Sequence, residues 1–146
     1  MKKLFLIFIF LYAVFSSKAE DIFFQHYGIN DGLSSNIVFG MAEDNNGLLW
    51  IATTEGVDKF DGLNFEHYKL PKLDINGLFD YMEYFIESDS KGQIWLATRT
   101  GLIYNYNIFK DEFQLIHQFQ QKANLTSQLT DFYINNNDQI LVSMTD

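Results

Sequence analysis

The chain has 146 residues, 47% apolar and 17% aromatic, which excludes intrinsic disorder and leaves ample material for a core. It has no cysteine, so disulfides and thiolate chemistry are excluded. A formal charge of −9 argues against nucleic acid or an anionic membrane surface as partner, because both select a basic face.

Met1-Lys2-Lys3 is a short positive segment, followed by an apolar run over residues 4–15 and by Ser16-Ser17-Lys18-Ala19. The run is shorter than the roughly 20 residues a membrane-crossing helix needs. The pattern predicts a signal peptide over residues 1–19, cleaved after Ala19, and hence an exported, periplasmic chain. Without Lys2, Lys3 and Lys18, 7 basic residues face 19 acidic ones, a balance of −12. No later stretch is long and apolar enough to span a bilayer, so no membrane insertion of the mature segment is expected.

Residues 20–36 form a lead-in segment, and residues 37–68 read as one unit of four strands. The first strand, 37–43, alternates apolar with small or polar side chains. Asp44-Asn45-Asn46-Gly47 supplies an Asn-Gly hairpin turn. The second strand, 48–53, contains the run Leu48-Leu49-Trp50-Ile51-Ala52, which predicts burial on both faces. Thr54-Glu55-Gly56 turns the chain, with Gly56 at a positive φ. Residues 57–60 are the third strand, Asp61-Gly62 a tight turn, and 63–68 the fourth.

Residues 78–118 repeat the plan, with strands at 81–88, 93–98, 102–106 and 112–118. The turn before the fourth strand has grown to residues 107–111. A third unit, 126–146, starts with strands at 130–134 and 139–143 around Asn135-Asn136-Asn137-Asp138. Gly47 and Gly92, Trp50 and Trp95, Thr53 and Thr98, and Gly56 and Gly101 all stand 45 residues apart, as do Gly32-Leu33 and Gly77-Leu78. Such a period marks a repeat architecture, and four antiparallel strands per period describe a β-propeller blade in an all-β fold. The 127 residues after Ala19 hold fewer than three periods, whereas a propeller closes with four to eight blades. The expectation is an incomplete ring of about two and a half blades that packs against the remaining propeller blades of a longer chain.

Trp50 and Trp95 are candidate stacking platforms for a sugar, but their recurrence at one position favours wedges between neighbouring blades. A packing residue must recur, and a binding residue need not. Ala52 and Ala97 fit the same account as small residues that let sheets approach. Asp44 and Asp89 lack the alternating spacing and distal Glu of a calcium loop, so they read as Asx-turn carboxylates capping backbone N–H groups. His26, His67 and His117 form no metal-ligand spacing and read as partly exposed strand residues. Ser34-Ser35 suits a turn entering the first strand, and no nucleophile elbow or nucleotide-binding glycine motif is present. Asn124-Leu125-Thr126 matches a glycosylation acceptor in form alone. No residue is singled out as catalytic, cofactor-binding or metal-ligating. The ligand-contact candidates are positions that differ between copies on a rigid frame: Glu55, Arg99 and Thr100.

His26-Tyr27, Asp31-Gly32-Leu33-Ser34-Ser35-Asn36, then Asp44-x-x-Gly47-x-x-Trp50-Ile51-Ala52-Thr53 and Gly56-Val57-x-x-Phe60-Asp61-Gly62 resemble the opening blade of the two-component regulator propeller family. The second copy lacks the Asp-Gly after its third strand, and the third has Leu141 where Trp is expected. The resemblance implies the exported sensing region of a large bacterial histidine kinase, which helps recognise an extracellular nutrient, commonly an oligosaccharide. It also implies that a β-sandwich, a transmembrane helix and the kinase follow in the full protein. This chain contains none of those parts, so no phosphoryl transfer is expected of it. The Asp-x-x-Gly-x-x-Trp turn also resembles the Asp-box of sialidase-like propellers, where it is structural. An exported propeller glycosidase or lyase is the competing reading, and a non-catalytic interaction scaffold a third. With Arg99 as the chain's one arginine, a sialidase-type carboxylate clamp is disfavoured.

Overall fold

The computed structural model describes residues 23–70, 83–119 and 128–145. Period-two alternation between Asx- and Gly-bearing turns produces ten strands and one 3-10 turn, Ile29–Asp31, with no α-helix among the described residues. The first sheet holds β1 (Val38–Glu43), β2 (Leu49–Thr53), β3 (Gly56–Phe60) and β4 (Phe65–Tyr68), antiparallel and in that order. The second holds β5 (Tyr84–Ser88), β6 (Ile94–Thr98), β7 (Leu102–Asn107) and β8 (Glu112–Gln118) in the same arrangement. A third pairs β9 (Leu129–Ile134) with β10 (Ile140–Met144). The fold is thus all-β and built of four-stranded antiparallel blades, as the turn spacing predicts. The expected signal peptide, Gly77-Leu78 and Asn124-Leu125-Thr126 lie outside the described residues.

Turn chemistry explains where strand edges depart from expectation. β4 starts at Phe65 rather than at 63, because the Asp61 carboxylate accepts the N–H groups of Leu63 (2.8 Å) and Asn64 (2.6 Å) and keeps both in the turn. Gly56 pairs with Thr53 as the first residue of β3 at φ +133°, and a Cβ there would stand 2.4 Å from the Tyr68 carbonyl oxygen. A side chain is excluded twice over, by torsion and by space. In the second blade β7 runs one residue further relative to its tryptophan: Trp50 pairs with Lys59, but Trp95 with Asn105.

Blades pack face to face on apolar side chains. Trp50, Ala52, Val57 and Tyr68 of the first blade meet Tyr84, Ile86, Ile94, Leu96, Tyr106 and Phe113 of the second. Ala97 and Ile103 of the second blade, with Trp95 and Phe85 beside them, meet Leu129, Phe132 and Ile134 of the third. Both alanines are fully buried, and Gly40 lies so close to Ile86 that an added Cβ would be 3.3 Å from its Cγ2. β2 is buried from Trp50 to Thr53, as its continuous apolar run predicts. The opposite face of the first blade packs Leu33, Ile51 and Phe60 with Tyr27, Leu49 and Phe65, so the lead-in covers part of that face.

Candidate functional site

The repeated aspartate and tryptophan form one device. Asp44 Oδ1 accepts the N–H groups of Asn46 (2.8 Å) and Leu48 (3.1 Å), and Oδ2 accepts Trp50 Nε1 (3.0 Å). Asp89 does the same with Lys91 (2.9 Å), Gln93 (2.9 Å) and Trp95 Nε1 (3.1 Å). In the third blade Asn135 keeps the two backbone bonds, to Asn137 (2.9 Å) and Gln139 (3.0 Å), where Leu141 brings no indole. Asx capping was legible in the sequence. Turn chemistry alone does not reveal the indole bond, whose signal in the sequence is the constant six-residue step from Asp44 to Trp50 and from Asp89 to Trp95. Each carboxylate holds its turn and aims the indole that wedges between blades, which makes the pair a structural device.

A second cluster lies on the seam between the first two blades. Lys59 Nζ sits 5.4, 5.0 and 6.0 Å from the ring centroids of Trp50, Tyr68 and Tyr106, a cation over aromatic faces. It donates to Tyr68 Oη at 2.6 Å and pairs with Glu66 at 2.5 Å. The Tyr68 and Tyr106 hydroxyls both donate to Asp111 Oδ1, at 2.7 and 2.5 Å. Burial, then the bond to Asp111, raises the Tyr68 phenol well above its ordinary value and pushes Tyr106 up to about 12. The Tyr106 and Tyr68 donors hold the Asp111 carboxyl below the usual carboxylate range. Both phenols stay protonated near neutral pH, so this is a fixed donor–acceptor network and not a proton relay. Beside it opens a cavity of about 320 Å³, lined by Glu66, His67, Lys69, Asp111 and Glu112 among others.

Asp58 is fully buried in β3 and organises a third cluster. Its Oδ2 accepts Ser34 N (2.8 Å) and Ser34 Oγ (2.7 Å), its Oδ1 meets His67 Nδ1 at 2.6 Å, and Ser34 Oγ also contacts Thr53 Oγ1 at 2.9 Å. The serine, aspartate and histidine do not form a hydrolytic triad. There the imidazole bridges serine and carboxylate, whereas here the carboxylate separates the other two. The cluster ties the lead-in to the first blade. His67 is exposed, as its strand-end position predicts, but it is bonded to a buried carboxylate across two strands, which sequence spacing does not reveal.

The ligand-contact candidates gather at one end of the blades. Glu55 is exposed on the β2–β3 turn, its N–H donating to Thr53 Oγ1 at 3.2 Å. Arg99 and Thr100 occupy the equivalent β6–β7 turn. Arg99 Nε donates to Gln128 Oε1 at 2.7 Å, and Nη1 pairs with Glu83. Backbone bonds from Thr54 N to Ile37 O and from Arg99 N to Glu83 O place both turns beside the entries to β1 and β5. The grown turn at 107–111 lies at the other end, where Phe109 is 97% exposed. Among the described residues no group of three or more potential metal ligands occurs, and no helix is long and apolar enough to cross a membrane.

Comparison with known proteins agrees with this architecture. Residues 32–55 match the family model of the two component regulator propeller. Over 67 residues, 44% of this chain, it is 34% identical to histidine kinase P4 of Formosa agariphila. The extracellular domain of a hybrid two component system of Bacteroides thetaiotaomicron, BT3049, is similar over 81% of the chain at 26% identity and a TM-score of 0.58. The extracellular domain of a one component system of that organism, BT4673, is similar over 83% at 21% identity and a TM-score of 0.61, a likeness of fold. The chain spans 5% of the kinase and 17% and 16% of the two solved chains.

Proposed function

From a chain that carries the two-component regulator propeller repeat and is related to extracellular domains of two-component systems, we propose a ligand-sensing segment of an exported sensor histidine kinase. The ligand class we assign is a neutral oligosaccharide. The observation that carries the reading is the contrast between a repeated Asp–Trp frame and a rim whose side chains change from blade to blade. At equivalent turn positions Thr54-Glu55 becomes Arg99-Thr100, at the same end of adjacent sheets. A rigid frame with variable loops is how a repeat protein presents a recognition surface. The surplus of acidic residues disfavours an anionic ligand, and the single arginine is already paired with Glu83. Binding, without phosphoryl transfer, is the role assigned to this segment, with partners supplied by further blades.

Calorimetric titration of the purified protein with a panel of neutral and acidic oligosaccharides tests the reading. Binding of a neutral member, weakened about tenfold or more by Glu55→Ala, Arg99→Ala and Thr100→Ala together, is the expected outcome. Binding confined to acidic members would overturn the ligand class, and binding indifferent to the triple substitution would overturn the rim. Export is tested separately, by sequencing the N-terminus of periplasmic protein, which should begin at Glu20.

A further inference from the structure

The turns β1–β2, β5–β6 and β9–β10 touch one another from blade to blade. Each has four places: Asp44-Asn45-Asn46-Gly47, Asp89-Ser90-Lys91-Gly92 and Asn135-Asn136-Asn137-Asp138. The first place caps its own turn, and the fourth stands at positive φ in all three, at +77°, +70° and +59°. The second place reaches the next blade. Asn45 lies against Gly92, the fourth place of the following turn, and its Nδ2 donates to the Lys91 carbonyl oxygen. Ser90 meets Asp138, again the fourth place of the following turn. There Asp138 Oδ1 accepts the Ser90 N–H at 2.8 Å and Oδ2 accepts the Ser90 hydroxyl at 2.9 Å.

The two contacts share their position and differ in construction. At the first seam a Cβ on Gly92 would fall on the Asn45 backbone nitrogen and stand 2.6 Å from its Oδ1, so the missing side chain lets the turns touch. The asparagine then bonds a backbone carbonyl. At the second seam the fourth place carries a carboxylate, which stands between the turns and takes both donors of a serine. The Ser90 N–H, and then its hydroxyl, hold the Asp138 carboxyl below the usual carboxylate range. Neither partner suits the other seam. An aspartate in place of Gly92 would overlap Asn45, and a glycine in place of Asp138 would return both Ser90 donors to water. The bond from aspartate to indole is the same in the first two blades, so it cannot tell one neighbour from another. The turn contacts can.

We propose that the second place of each turn and the fourth place of the following turn form a matching pair that selects which blade seats beside which. Asparagine takes glycine, and serine takes aspartate. The pairing discriminates in both directions, by overlap when the fourth place is too large and by a lost acceptor when it is empty. Specificity between similar surfaces needs such a repulsive element beside the attractive one. Asn45, Gly92, Ser90 and Asp138 are therefore specificity-determining residues of the blade interfaces, while the apolar faces and indoles supply cohesion common to both. The inference stands apart from the sensor reading, since it requires no ligand.

Double-substitution cycles on the full chain, read by hydrogen exchange, test the pairing. At the second seam Ser90→Asn and Asp138→Gly should each alone speed exchange of the β9 amides and the Trp95 indole by about fivefold. Together they recreate the pair of the first seam and should bring exchange back to within about twofold of the unaltered chain. At the first seam Gly92→Asp alone should speed exchange of the β5 amides and the Trp50 indole by about tenfold, and adding Asn45→Ser should recover most of that change. The second-seam cycle puts glycine where φ is already +59°, so it introduces no backbone strain and decides the matter even where Gly92→Asp fails to fold. Single substitutions without effect at the second seam, or effects that simply add in the double variant, would overturn the pairing. So would a folded Gly92→Asp chain that Asn45→Ser does not recover.

Discussion

The two seams between blades use equivalent positions and end differently buried. At the first seam Trp50 is 1% exposed, ringed by Tyr68, Tyr106 and Phe113, with the Lys59 ammonium over its face. At the second, Trp95 makes the same bond to its aspartate but is only partly buried against Phe132, Ile134 and Ile140. The indole and its carboxylate are alike, so the difference lies across the seam. Tyr106 and Phe113 come from β7 and β8, the third and fourth strands of the receiving blade, and the third sheet pairs two strands among the described residues. A blade's tryptophan is thus sealed by its neighbour's outer strands. This is nearest-neighbour coupling of the kind expected of a repeat array.

Truncating the indoles sharpens that contrast most. Trp50→Ala should lower the local stability of the first seam by about 3–5 kcal/mol, the range for removing a large buried side chain without collapse of the cavity. Trp95→Ala should cost roughly half as much at the second seam, because less area is withdrawn from water. Protection of β5 and β9 amides measures the two seams separately. Equal losses would show that the indole's own blade, and not the neighbour, sets its energy. A smaller contrast is expected at the glycines. Gly56→Ala combines a φ of +133° with a backbone oxygen 2.4 Å away and should cost about 1–3 kcal/mol. Gly101→Ala, at φ +86°, meets the Phe119 side chain at 3.2 Å and should cost about 1 kcal/mol, since that side chain can yield. The same exchange measurements rank them, and a larger loss at Gly101 would reverse the proposed order of rigidity.

What the sequence made legible was whatever is local and repeated. Strand alternation, the Asp-x-x-Gly turns, the positive φ of Gly56 and the Asx caps each involve a few neighbouring residues and recur one period on in the second blade. The seam chemistry and the tie of the lead-in to the first blade were not legible, because their partners are distant in sequence. Tyr68 meets Asp111 across 43 residues, and Ser34 meets Asp58 across 24. Asp111, at φ 55°, belongs to the grown turn, which sequence comparison marked as different without showing that it reaches back to the first blade. Arg99 stood out as a variable rim residue, and its pairing with Glu83 and Gln128 became visible only once the entries to β5 and β9 were placed beside it.

The smallest expected effect is one of sign, and it separates the seams by pH. Asp111 at the first seam has its carboxyl lowered from 3.8 by the Tyr106 and Tyr68 hydroxyls. The native state therefore binds that proton less readily than the unfolded chain. Its contribution is fully present above 3.8 and is lost as pH falls through the lowered value. Glu87, on β5, has its carboxyl raised from 4.5, by burial and then by the charge of Asp131 on β9. Here the native state holds the proton more readily, so ionised Glu87 opposes folding at neutral pH and the penalty lifts as pH falls through the raised value. Acidification from pH 7 should first tighten the second seam while leaving the first unchanged, and below 3.8 should loosen the first. Protection factors of β5 and β9 amides, corrected for the intrinsic pH dependence of exchange, follow both events. Glu87→Gln should abolish the first event and Asp111→Asn the second, each without touching the other. If the two seams instead moved together with pH, charge at one would be felt at the other, and the blades would have to be treated as a single cooperative unit rather than as coupled neighbours.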